Sequence, residues 1–139
     1  GTLTVMCGAR AEAFDVALPV MQTFGKLIVR LGDAGAGQRA KIVNNALMAA
    51  NMGLAHAAFA AADALGMERA ALAALVRESS GRSFGFDVYA RLPLPAAFSV
   101  GAPLLTKDVG LLMALLPDNA GAAALSDAAK PFLDAANGN

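Results

Sequence analysis

A mainly α-helical fold is predicted by three features of this sequence. Alanine dominates the apolar residues, which favours closely packed helices over sheets. From about residue 36 onward, apolar residues recur at helical spacing in every segment. Before that point, two short apolar runs flank a single helical pattern. We therefore expect an all-helical domain built around one long helix and preceded by a strand–helix–strand unit.

The first part of the chain reads as a strand at 2–7, a helix at 11–24 and a second strand at 26–31. Gly8, Gly25 and Gly32 mark the ends of these segments. Pro19 lies inside the helical stretch and indicates either a kink or a helix that starts there, because proline suits a first turn. A unit of this size cannot form a stable domain alone, so we expect it to belong to a larger sheet.

The rest of the chain predicts a succession of helices. The predicted segments are 36–65, 67–78, 84–91, 103–116 and 120–136. Gly66 is suited to cap the first of them, Pro103 opens the fourth and Pro117 stops it. A break near Pro131 is an open alternative in the last helix. The first helix carries apolar residues on all of its faces, which predicts contact with another domain or subunit.

Composition narrows the range of partners. Eleven basic and eleven acidic residues cancel to a formal net charge of zero, so no general attraction to nucleic acid or anionic membranes is expected. The apolar run 46–65 is rich in alanine and contains Asn51, His56 and Asp63, which favours a buried helix over a membrane span. The single cysteine, Cys7, cannot form an internal disulfide, and the default expectation is a cytoplasmic protein.

One stretch combines glycines, a lysine and two asparagines at the start of the long helix. After Gly35 and Gly37, helical spacing puts Lys41, Asn44 and Asn45 on one face. A cation and two amides near a helix N-terminus suit a carboxylate. Desolvation and the positive helix end both favour a neutral lysine, which can accept a proton from an alcohol. The alternative is that the lysine extends to water while the asparagines cap or pack.

This stretch resembles the G-x-G-x-x-x-K-x-x-N-N signature of the β-hydroxyacid dehydrogenases, the 3-hydroxyisobutyrate dehydrogenase and tartronate semialdehyde reductase type. Every defining position of the signature is filled. The resemblance implies that residues 1–34 are the end of an N-terminal dinucleotide-binding domain and that 35–139 are a helical substrate and dimerisation domain. The phosphate-binding glycine loop of such an enzyme is absent, so we expect this chain to be part of a longer protein and to be inactive alone.

The resemblance also implies roles for individual residues. Lys41 would be the general acid/base, and Asn44, Asn45 and Gly37 would bind a small hydroxy acid or its semialdehyde. The cofactor would be NAD or NADP, bound mainly by the missing domain. Lys107, which precedes Asp108 in a leucine-rich helix, would lie near the nicotinamide, and Phe98 would help to cover the site. A homodimer or homotetramer assembled through the long helix is expected.

Several of these residues also have a purely structural interpretation. Lys107 can equally form a surface ion pair with Asp108. The loop 79–83 is more often a turn than an anion site. His56 and Cys7 are expected to be structural, because no partner lies at metal-ligand spacing. The second hypothesis for the whole segment is a non-catalytic oligomerisation or small-acid-binding module.

Overall fold

The computed structural model describes residues 1–138. The elements, in chain order, are β1 (Leu3–Cys7), α1 (Ala11–Met21), β2 (Gly25–Arg30), α2 (Ala36–Ala64), α3 (Arg69–Arg77), α4 (Phe84–Ala90), the 3₁₀ helix Pro95–Phe98, α5 (Ala102–Leu115) and α6 (Ala120–Asn137). The predicted fold class is confirmed, with a two-stranded sheet at its start. The chain divides into two compact units, Gly1–Asn44 and Asn45–Asn139. The domain boundary expected after residue 34 remains a prediction.

The first unit is a parallel β–α–β arrangement. Val5 of β1 lies opposite Ile28 of β2, and α1 is the connection between the two strands. Helix α1 begins at Ala11, so the alternative of a helix that starts at Pro19 is wrong. The helix ends at Met21 rather than at residue 24, because the hydroxyl and the N–H of Thr23 both turn back to the Val20 carbonyl. No residue of α1 is buried.

Helix α2 is the longest element, at 29 residues. It follows Gly35, whose φ of +87° favours glycine, and it ends before Gly66, whose φ is +71°. The Met67 N–H donates to the Ala62 carbonyl at 2.9 Å across this end, which is the six-to-one bond of a Schellman cap. The prediction that Gly66 terminates the long helix is therefore confirmed.

The second unit encloses an aromatic core. The ring of Phe59 on α2 stacks on Phe86 of α4 with centroids 5.4 Å apart. Tyr89 meets Phe132 of α6 edge-on at 5.6 Å. The Arg69 guanidinium lies 4.0 Å over the Phe59 ring, which adds a cation–π contact to the apolar packing. These contacts tie α2, α3, α4 and α6 together.

Two features of the helix packing bear on the sequence predictions. A Cβ added at Gly53 of α2 would overlap the carbonyl oxygen of Ala128 on α6, so the two backbones touch at this point. Helix α6 is continuous through Pro131, and the alternative of a break there is wrong. The next two residues, Phe132 and Leu133, are buried, and their packing outweighs the hydrogen bond that the proline removes.

The outward side of α2 carries apolar side chains. Leu47 and Leu54 are 49% and 58% exposed. The expectation that this helix meets another domain or subunit stays a prediction. Among the described residues, no helix combines the length and the apolar character needed to cross a membrane.

Candidate functional site

Glycine allows the start of α2 to lie against β1. A Cβ at Gly37 would overlap the carbonyl oxygen of Met6, and one at Gly8 would lie 2.7 Å from the Ala36 nitrogen. Only residues without a side chain permit such a close approach of the backbone. Gly37 is accordingly buried, and the helix is fixed directly beside the strand before Lys41 is reached.

An open cleft of about 370 Å³ lies at this junction in the first unit. It is lined by Thr4, Met6, Gly37, Gln38 and Lys41. None of the five is acidic, and Lys41 is exposed. A cation, a hydroxyl and an amide around an open space are compatible with a small anion. Asn44 and Asn45, which the sequence analysis grouped with Lys41, are not among the residues that line this cleft. The substrate role of Lys41 and Gly37 itself remains a prediction.

The two asparagines of α2 differ in their surroundings. Asn44 is exposed, whereas Asn45 is half-buried. The Asn45 side-chain nitrogen donates to Oδ2 of Asp108 on α5 at 2.6 Å. This is a short hydrogen bond to a charged acceptor, which is among the stronger kinds in proteins. Asn45 is therefore held in place by a residue far away in the sequence.

Asp108 is a buried carboxylate that the sequence interpretation treated only as a surface partner of Lys107. The ion pair between them is present, with Lys107 Nζ 3.3 Å from Asp108 Oδ1. The Lys107 side chain is 57% exposed, but that of Asp108 is only 3% exposed. A signal for this burial exists in the sequence, since Leu105 and Leu112 flank Asp108 at helical spacing and are themselves buried.

Phe98 lies apart from this polar group. It ends the 3₁₀ helix Pro95–Phe98, in a segment that was expected to be loop. Its ring packs against Phe132 with centroids 5.8 Å apart, and it also leaves no room for a Cβ at Gly101. Phe98 is half-buried, so part of the ring remains accessible. Its role in covering a cofactor is still a prediction.

The remaining candidate residues have structural contacts. His56 Nδ1 lies 2.8 Å from the hydroxyl oxygen of Tyr89, within the aromatic core. Ser83, in the loop 79–83, accepts a hydrogen bond from the Phe86 N–H and so caps α4. Cys7 is half-buried in β1. In the part of the chain that the structure describes, no group of three or more His, Cys, Asp or Glu side chains could hold a metal ion.

The chain consists of a parallel β–α–β unit followed in sequence by a helical unit, and helix α2 carries Lys41, Asn44 and Asn45 near its start. Residues 35–139 match the family described as the NAD-binding domain of NADP-dependent 3-hydroxyisobutyrate dehydrogenase. The chain belongs to the β-hydroxyacid dehydrogenase family. The nicotinamide dinucleotide expected as cofactor is confirmed at the level of this family.

Individual relatives agree with the family match. An NAD-dependent L-serine dehydrogenase of Pseudomonas aeruginosa is 41% identical over 120 residues, which cover 80% of this chain and 40% of that enzyme. A 3-hydroxyisobutyrate dehydrogenase of the same organism is 36% identical over 123 residues, which cover 82% of this chain and 41% of that enzyme. The chain thus spans about two fifths of the length of these curated relatives.

A solved structure shares the fold. The 3-hydroxyisobutyrate dehydrogenase of Mycobacterium tuberculosis, determined with L-serine, superimposes with a TM-score of 0.76 at 26% identity. The match covers 98% of this chain and 52% of that chain.

Proposed function

We propose that the complete protein interconverts a small 3-hydroxy acid and its semialdehyde with NAD or NADP. The observation that carries this proposal is the exposed Lys41 beside an anion-compatible cleft, followed on the same helix by Asn44 and Asn45. The family membership of the chain supports the reaction class, because its relatives include enzymes named as dehydrogenases of serine and of 3-hydroxyisobutyrate.

In this proposal Lys41 is the general acid/base. During oxidation its amine accepts the proton of the substrate hydroxyl, and during reduction its ammonium returns a proton to the carbonyl oxygen. The exposed position of Lys41 lets the amine exchange this proton with solvent between turnovers. The cofactor supplies the hydride chemistry when it is bound.

The asparagines orient the substrate. Asn44 is exposed and is assigned to the substrate carboxylate, whereas Asn45 is assigned to the reacting oxygen. A neutral amide can donate to an oxygen without adding charge, so it holds the substrate without opposing proton transfer by Lys41. Gly37 contributes space, because a side chain there would displace the start of α2 from β1.

Lys107 and Phe98 are assigned to the cofactor. Lys107 fits this role because its side chain is 57% exposed, with its ammonium 3.3 Å from the buried Asp108 on the same helix. Phe98 fits because its ring is fixed by Phe132 and only half-buried, which leaves a rigid apolar surface for a planar group. We assign residues 1–34 to the dinucleotide-binding domain and 35–139 to the substrate and dimerisation domain.

The test is steady-state turnover of a panel of small 3-hydroxy acids and semialdehydes by the complete protein, with each dinucleotide. We expect at least one acid to be oxidised with NAD or NADP and its semialdehyde to be reduced. The chain 1–139 alone is the matched control and is expected to be inactive. If no hydroxy acid or semialdehyde reacts with either dinucleotide, the proposal is wrong, and a binding module becomes the better interpretation.

A further inference from the structure

A second cleft lies entirely within the unit Asn45–Asn139. It has a volume of about 280 Å³ and is bordered by helices α2, α3 and α4 and by the loop that precedes α4. Its larger apolar side chains are those of Leu54, Val76 and Phe86, and its polar side chains are those of Asn51, Arg82 and Ser83. The space exists because the remaining lining residues are two alanines and a glycine.

The polar side chains of this cleft are hydrogen-bond donors that the fold leaves available. Within residues 1–138, neither the Arg82 guanidinium nor the Asn51 amide has a hydrogen-bond or ion-pair partner. Ser83 Oγ accepts from the Phe86 N–H at 3.0 Å, so the Ser83 hydroxyl keeps its own proton to donate. None of the nine residues that line the cleft is acidic, so the charge of Arg82 is not neutralised there.

We propose that this cleft binds a short aliphatic carboxylate. The planar Arg82 guanidinium can hold a carboxylate through two parallel hydrogen bonds, and the Asn51 amide and the Ser83 hydroxyl can donate to the same group. The three larger apolar side chains take the hydrocarbon end of the ligand out of water. The volume lies just below the roughly 300 Å³ at which pockets for drug-sized ligands begin, so the ligand is a small one.

The residues of the cleft support binding rather than catalysis. An arginine side chain keeps its proton in proteins, and hydroxyl and amide groups exchange none near neutral pH without a base. No Lys, His, Cys, Asp or Glu lines the cleft, and Lys41 is not among its residues. The ligand of this cleft is therefore bound unchanged, and the inference does not depend on the proposed function.

Calorimetric titration of the complete protein with hexanoate tests the proposal. The titration uses the Lys41→Ala variant, so that the candidate catalytic lysine contributes nothing to anion binding. We expect saturable binding of hexanoate. Hexanamide, which has the same hydrocarbon but no charge, and acetate, which has the charge but little hydrocarbon, should each bind at least about tenfold more weakly. Absence of saturable hexanoate binding up to about 10 mM would overturn the proposal.

A variant of the charged group locates the bound carboxylate. Arg82→Gln should weaken hexanoate binding by about tenfold or more, which is the scale of a hydrogen bond to a charged group. Arg91→Gln is the matched control, because Arg91 is also exposed in the same unit but does not line the cleft, and it should leave the affinity unchanged. Equal hexanoate affinities with and without Arg82→Gln would also overturn the proposal.

A variant of the apolar part tests the volume of the cleft. Ala58 is an exposed residue of α2 that lines the cleft, so Ala58→Phe should fill the space and abolish hexanoate binding. Ala57→Phe adds the same side chain at an exposed position outside the cleft and should have no effect. Unchanged binding in Ala58→Phe would show that hexanoate binds elsewhere. Because binding is measured without turnover, an inactive protein that binds hexanoate counts only against the proposed function.

Discussion

The two units of the molecule differ in how far their apolar side chains are buried. In the unit Gly1–Asn44, helix α1 buries nothing, and its Val16 and Val20 are 82% and 66% exposed. In the unit Asn45–Asn139, Phe59 and Phe132 are 1% and 0% exposed within an aromatic core. The first unit contains Lys41 and the open cleft, so the proposed general acid/base belongs to the unit with fewer buried side chains.

The largest effect expected in the first unit is on activity. Lys41→Ala in the complete protein should lower kcat by about 10²–10⁴-fold, the range typical of a lost general acid/base, with dinucleotide binding largely intact. Steady-state kinetics and a dinucleotide titration measure the two quantities. Lys26→Ala removes another exposed lysine from the same unit and should leave kcat unchanged. A near-normal kcat for Lys41→Ala would show that Lys41 is not the general acid/base.

The largest effect on stability is expected in the second unit. Phe132→Ala should lower the free energy of unfolding by about 3–5 kcal/mol, because it empties a fully buried site between Tyr89 and Phe98. Phe24→Ala is the same substitution in the first unit, where the side chain is 42% exposed, and should cost about 1 kcal/mol or less. Urea unfolding of both variants measures the difference, and equal losses would break the comparison between the units.

A smaller effect tests how tightly the second unit is packed. Gly53→Ala should destabilise the protein by about 1–3 kcal/mol, because the new methyl group meets the backbone of Ala128. Gly110→Ala, on α5, meets nothing within 4 Å and should stabilise the protein by up to about 1 kcal/mol through helix propensity. Thermal unfolding midpoints that shift in the same direction for both variants would contradict this account.

Much of the fold is predictable because it depends on local chemistry. Gly35 and Gly66 have positive φ at the two ends of α2, and glycine at these positions in the sequence indicates the helix boundaries. Proline was less informative. Pro19 and Pro131 both lie inside helices, and at Pro131 the burial of Phe132 and Leu133 outweighs one lost hydrogen bond. Hydrophobic periodicity predicts where a helix lies, but it does not show whether side-chain packing will outweigh the hydrogen bond that a proline removes.

The candidate site is only partly predictable, for a different reason. Lys41, Asn44 and Asn45 belong to one helix, so their shared face follows from spacing. The hydrogen bond from Asn45 to Asp108 depends on how α5 packs against α2, and no local pattern encodes that contact. The sequence analysis gave the ion pair of Lys107 with Asp108 as an alternative to a cofactor role and placed it on the surface, whereas the Asp108 side chain is only 3% exposed.

The separation of Asn45 and Asp108 along the chain has a consequence for folding. The two residues are 63 positions apart, so their hydrogen bond closes a long loop and carries a corresponding entropic cost. Helix α2 can form its own backbone bonds before that loop closes, whereas the Asn45 amide acquires a fixed direction only after α5 has docked. We therefore expect this polar pair to form after helix α2, although Asn45 itself belongs to that helix.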